Sequence, residues 1–201
     1  MFVLKSSHRF TVTVAMAAFF IYLFSSCSLK SKVPAELRQL DSLHIVLQSK
    51  LSQLKQMDTV LLEKAVKRFQ SYSDFLEHHV KDTLLKEEAT ALQQFYLNGR
   101  NLKNFSQNRP GLMARMHLVS SQVARLKTDT ENNALRYDEF ILHFTTETKA
   151  LTDLIRISER ELELYSESLS AFKSNLPPTE ALIKKRNNGL LPAEVSTASS
   201  L

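Results

Sequence analysis

Proline and glycine are spread so unevenly along this chain that they limit its fold before any other residue is considered. Neither occurs from Ala35 to Asn98, and neither occurs from Leu112 to Leu176, which leaves two uninterrupted arms of 64 and 65 residues. Gly99, Pro110 and Gly111 lie between the arms, Pro34 precedes the first and Pro177-Pro178 closes the second. Strands joined by tight turns draw heavily on Gly and Pro. Three Gly and five Pro in 201 residues are too few for an all-β or α/β chain. Leu, Ala, Glu, Lys, Gln and Ser dominate instead, and these are mostly good helix formers. A hydrophobic content of 43% suffices for a core, which must rest on Leu and Phe because Trp is absent.

The apolar residues of both arms recur at helical spacing. Leu37, Leu40, His44, Leu47, Leu51 and Leu54 form a coiled-coil-like seam. Leu61, Leu62, Ala65, Val66, Phe69, Tyr72, Phe75, Leu76 and Val80 widen that stripe, as in a helix that touches more than one neighbour. In the second arm Leu112, Met116, Val119, Val123 and Leu126, then Tyr137, Phe140 and Phe144, keep a seven-residue register. Leu151, Leu154, Leu162, Tyr165, Leu169 and Phe172 form a further stripe. An unbroken helix of 64 residues would be about 96 Å long. Breaks are therefore expected at Met57-Asp58-Thr59, near Lys81-Asp82-Thr83, from Thr128 to Asn133 and from Thr145 to Thr148, where Asp, Thr and Asn can cap a new helix. Asn98-Gly99 reads as a helix C-terminus and Asn108 to Pro110 as a restart. The expected fold is all-α: an antiparallel bundle of three to five helices with long coiled-coil-like members, or else an extended helical hairpin that self-associates. Residues 35–176 would form this domain, and 177–201 a disordered tail.

The first residues read as an address. Lys5, His8 and Arg9 are followed by an uncharged, mostly apolar run from Phe10 to Phe24, the pattern of a signal peptide. As a helix its fifteen residues span roughly 22 Å, short of the ~30 Å hydrocarbon core of a membrane. The run ends in Leu23, Phe24, Ser25, Ser26, Cys27. This resembles the lipobox of bacterial lipoproteins, in a relaxed form with Phe24 where the family usually has Leu. The resemblance covers residues 1–27 and implies a signal peptide over 1–26, with Cys27 lipidated as the new N-terminus and residues 27–34 as a tether. The alternative is an ordinary cleaved signal peptide with an incidental Cys. Cys27 is the sole cysteine, which excludes an intrachain disulfide. By the same resemblance Ser28, in place of an inner-membrane Asp, favours the outer membrane. The basic Lys30 and Lys32, in place of the acidic tethers of surface-exported lipoproteins, favour a domain facing the periplasm.

Charge is segregated. Residues 89–127 contain no acid and six bases: Arg100, Lys103, Arg109, Arg115, Arg125 and Lys127. Residues 128–180 contain 11 acids and 5 bases. Two readings follow, a basic helix packed beside an acidic one, or an anion-contacting surface at the bend formed by Arg100, Lys103 and Arg109. No nucleic-acid motif is present. Asp41-x-x-His44 is the sole pair with the spacing of a di-metal bundle site, and it lacks the required second copy. Glu139, His143 and Glu147 share a helix face at i, i+4 and i+8, an arrangement more typical of solvated local pairing than of a metal site. His78-His79 reads as helix surface. No phosphate loop, nucleophile elbow or His-Glu-x-x-His occurs. The sequence therefore predicts no enzyme, no cofactor, no metal and no nucleic-acid partner. The expected role is that of a membrane-anchored interaction or structural lipoprotein with a protein partner or self-association, or alternatively a helical binding or sensor module.

Overall fold

The computed structural model describes residues 28–80 and 84–192. The expected signal peptide, Cys27 and the last nine residues lie outside them. All the regular structure of the described residues is helical: α1 Leu29–Lys32, α2 Pro34–Gln56, α3 Thr59–His79, α4 Lys86–Glu131 and α5 Tyr137–Arg186. The chain is an all-α bundle.

Helix starts and stops follow local chemistry. Pro34 occupies the first turn of α2, where its missing N–H costs nothing. Asp58 Oδ1 accepts the Leu61 amide at 2.8 Å and starts α3, so the break expected at Met57-Asp58-Thr59 is present. The one expected near Lys81-Asp82-Thr83 falls between α3 and α4, and those three residues lie outside the described ones. Glu88 reaches back to the Leu85 amide at 3.0 Å to open α4, and Glu139 does the same for Arg136 at 2.9 Å to open α5. The α4–α5 turn is built by Asn133 at φ 52. The Ala134 and Asn133 amides donate to the carbonyls of Asp129 and Thr130, closing the helix end in a left-handed cap.

Three expectations are corrected. First, Gly99, Pro110 and Gly111 do not separate two arms but lie inside the 46-residue α4. The chain reverses at 132–136 instead. Gly99 is not a helix end but a close-packing position: a Cβ there would lie 2.1 Å from Phe69 Cδ2. Pro110 is on the exposed side of α4, where a carbonyl deprived of its donor can be hydrated. Second, no break occurs at 145–148. The Thr145 and Thr146 hydroxyls donate to the Ile141 and Leu142 carbonyls one turn back, so they decorate the helix rather than cap a new one. Third, both ends of the expected domain extend. α5 runs through the exposed Pro177 and Pro178 to Arg186 and buries Thr179, Leu182 and Ile183. At the other end, Leu29 and Val33 are buried, the Leu29 amide donates to Asn133 Oδ1 at 2.7 Å, and Lys30 pairs with Glu131 at 2.9 Å. Residues 29–34 of the expected tether are part of the bundle.

The tertiary arrangement is a three-stranded bundle in which one strand is made of two helices. α4 and α5 form an antiparallel hairpin with the most extensive interface. Its register is marked by Lys185–Glu88, the Asn101–Ser168 hydrogen bond and the Phe105–Tyr165 contact. α2 lies against the turn half of this hairpin, joined by Asp41–Lys127 and His44–Ser120. α3 lies against the open half, where Phe69 meets Phe95 and Tyr72 donates to Glu180. End to end, α2 and α3 span 23 and 21 residues, about 35 and 32 Å, and α4 is about 69 Å long. The two short helices therefore cover the length of one long one. The core is continuous, with Leu40, Leu47, Leu51, Leu54, Leu102, Met116 and Leu151 filling one end and Phe95, Phe172 and Ile183 the other.

Candidate functional site

The three basic residues singled out at the expected bend are separated by the folded chain. On a continuous α4, Arg100 is exposed, while Lys103 and Arg109 are half-buried. Arg109 is drawn to the α2–α3 junction, where its Nε and Nη2 donate to the Leu54 carbonyl at 3.0 and 2.7 Å. That carbonyl is in the last turn of α2 and has no amide of its own helix to accept from. Arg109 is thus the C-terminal cap of α2, a role invisible in sequence because donor and acceptor are 55 residues apart.

Arg100 and Lys103 line a groove of about 480 Å³ between α3 and α4. The α4 wall also presents Tyr96, Asn104 and Gln107, and the α3 wall presents Gln70, Ser73, Asp74 and Glu77 over a floor of Phe69. Beneath it α3 comes close at Gly99, where Phe69 packs on the bare backbone. The Tyr96 hydroxyl points to the Ser73 carbonyl at 3.5 Å, and burial, followed by Glu77, pushes its ionisation above the ordinary tyrosine range. It is a neutral donor at physiological pH. Arg100 and Lys103 make no ion pair among the described residues, and the Asp74 carboxylate lies 3.6 Å from His78 Nδ1. One wall therefore offers cationic and amide donors and the other offers carboxylates, which suits a polar ligand held by hydrogen bonds better than a polyanion.

The histidines and carboxylates weighed as metal ligands are engaged elsewhere or dispersed. Asp41 pairs with Lys127, and His44 meets the Ser120 hydroxyl at 2.7 Å. Burial, then Lys127, lowers the His44 pKa against the opposing pull of Asp41, so the ring is neutral. The Nδ1 atoms of His78 and His79 lie against the Asp74 and Phe75 carbonyls of the preceding turn, and His79 stacks on Phe75 at 4.3 Å. Glu139 caps α5, whereas His143 and Glu147 face a separate groove against α4. Among the described residues no three His, Cys, Asp or Glu side chains converge as a metal site, and no helix is long and apolar enough to cross a membrane.

The expected pairing of a basic with an acidic helix is realised in position but not in contacts. α4 and α5 are neighbours, yet among the described residues no base of α4 pairs with an acid of α5: Lys127 pairs on α2, and Arg125 with Asp129 of its own helix at 3.6 Å. Apolar packing holds the two helices together. Comparison of the chain with protein-family models, with curated proteins and with solved structures finds no match.

Proposed function

We propose that the chain is a lipid-anchored bacterial envelope protein, held by Cys27, whose helical bundle serves as a non-catalytic interaction module. The observation that carries the reading is the position of the bundle relative to the proposed anchor. Residue 29, two positions after Cys27, is buried, and its amide is bonded to Asn133 in the α4–α5 turn. A lipid on Cys27 would therefore seat that end of the bundle directly on the membrane, with the α3 end of the hairpin, about 70 Å away along α4 and α5, reaching toward a partner. Leu97, on α4 beside the Arg100 groove, is exposed, as is Leu85 just before α4. They give that outer end apolar as well as polar contact surface.

The second reading, binding of an anionic envelope component, draws on Arg100 and Lys103 in the α3–α4 groove. Asp74 and Glu77 across the groove weigh against it.

Two measurements test the proposal. Metabolic labelling with a fatty acid should mark the wild-type chain and not Cys27→Ser; equal labelling of both, or of neither, refutes the anchor. Crosslinking with mass spectrometry in intact cells should then join residues of the α3 end to one recurrent envelope protein. Crosslinks scattered over the whole surface would refute the interaction module.

A further inference from the structure

Glu147 is the one carboxylate among the described residues that the fold buries, at 9% exposed. It has no hydrogen bond or ion pair among them. Its side chain is mostly covered, yet its carboxylate oxygens still open onto solvent with no protein counter-charge, so they are available to a cation of matching shape. The side chain lines a groove of about 340 Å³ between α4 and α5 beside the turn, at the small end of the roughly 300–1,000 Å³ range of small-molecule sites. Leu126 and Leu135 supply its apolar lining, and Gln122, Arg125, Asp129 and His143 complete it.

The charges around Glu147 decide the kind of ligand. Arg125 does not serve as its counter-ion: its side chain is 85% exposed and lies against Asp129. His143, one turn earlier on α5, is exposed and acts on Glu147 only at a distance. Burial pushes the Glu147 carboxyl above the ordinary range, and His143 opposes this. Arg125 is matched by Asp129, which leaves the Glu147 carboxylate as the unmatched acidic group of a groove with an apolar lining.

We infer that this groove binds an alkylammonium group, its charge on Glu147 with Asp129 at the rim and its hydrocarbon stem on Leu126 and Leu135. The same chemistry belongs to a free aliphatic amine and to a lysine side chain of a partner protein. The site does not depend on lipidation of Cys27, so it can fail or stand separately from the proposed function.

The test is titration of the full chain, purified in detergent, with pentylamine and with pentanol, its neutral near-isostere, followed by amide NMR shifts at Gln122, Asp129, Leu135 and Glu147. Pentylamine should saturate with a dissociation constant on the order of millimolar, as befits six heavy atoms, and pentanol should not. Glu147→Gln should weaken pentylamine by about tenfold or more, while melting no lower than the wild type. A second arm compares a tripeptide carrying lysine with one carrying norleucine. Tighter binding of the lysine peptide than of pentylamine assigns the site to a partner's side chain, and weaker binding assigns it to a free amine. Equal response to amine and alcohol, no saturation by pentylamine, or unchanged binding to Glu147→Gln overturns the inference.

Discussion

Replacing Gly99 with alanine adds one methyl group, and its effect depends on whether α3 packs where the structure places it. The new Cβ would lie 2.1, 2.5 and 2.6 Å from Cδ2, Cγ and Cε2 of Phe69. Ordinary carbon contacts are ~3.5–4.0 Å, so ring and methyl must part by more than an ångström. The ring cannot swing freely, because Phe95 and Tyr96 flank it at centroid distances of 5.5 and 6.2 Å. The strain must therefore pass into the α3–α4 spacing, at a cost of about 1–3 kcal/mol or more. Against this stands the ~1 kcal/mol that alanine gains over glycine in a helix interior. The net expectation is a loss of up to about 2 kcal/mol or more, or as much as roughly 8 °C in a chain of this size. Gly111, twelve residues on in the same helix, has nothing within 4 Å of the point where an added methyl would stand. Gly111→Ala should therefore stabilise by about 0.5–1 kcal/mol. Thermal and urea unfolding followed by circular dichroism at the helix band would compare the two variants. In a Phe69→Ala background, itself about 3–5 kcal/mol less stable, Gly99→Ala should turn neutral or stabilising. A Gly99→Ala protein that melts as high as Gly111→Ala in the wild-type background would refute the packing of α3 on α4.

Four further outcomes follow from the same geometry. Arg109→Gln removes the cap of α2 and should cost about 1–2 kcal/mol, whereas Arg100→Gln should stay within about 0.5 kcal/mol; equal melting temperatures would reject the capping role. Ending the chain after Leu176 removes the buried Leu182 and Ile183, each worth about 2–5 kcal/mol on truncation to alanine, so this product should lose cooperative unfolding while one ending after residue 192 retains it. His44 has a folded pKa below its ordinary 6.5, so its contribution is fully present above that value and declines as pH falls from there through the folded pKa. Wild-type melting should accordingly drop more between pH 7.5 and 5.5 than that of His44→Gln, and parallel curves would remove the neutral, partly buried histidine. Glu147 has a raised folded pKa, so ionisation penalises the fold as pH rises above the unfolded value. Glu147→Gln should melt higher than wild type at pH 7, with the gap closing as pH falls toward 4 in paired calorimetric scans; a constant gap would contradict the burial of that charge.

Much of this architecture was legible in the order of residues, and the rest was not, for identifiable reasons. Helix class follows from the scarcity of Gly and Pro together with the 3–4 spacing of Leu and Phe, because each residue carries its own backbone preference and its own face. The start of α3 at Asp58 was readable for the same reason: a cap and the amide it accepts are three residues apart. Gly99 and Pro110 misled because a local break signal is a cost of only a few kcal/mol, and the stripe Leu102, Phe105, Leu112 and Met116, buried on both sides of Pro110, outweighs it. The same competition carries α5 through Pro177-Pro178 to bury Leu182 and Ile183. Residue order alone could not show that Arg109 reaches the Leu54 carbonyl, that Leu29 docks on Asn133, or that Glu147 lies unpaired beneath the α4–α5 groove. These depend on residues 55, 104 and about 20 positions apart in sequence, and only the register of α2 and α3 in tandem along the α4–α5 hairpin brings them together. Local periodicity and caps determined the helices of this protein, whereas long-range apolar packing decided which break signals were overridden, that Arg109 became a cap, and which buried carboxylate was left without a partner.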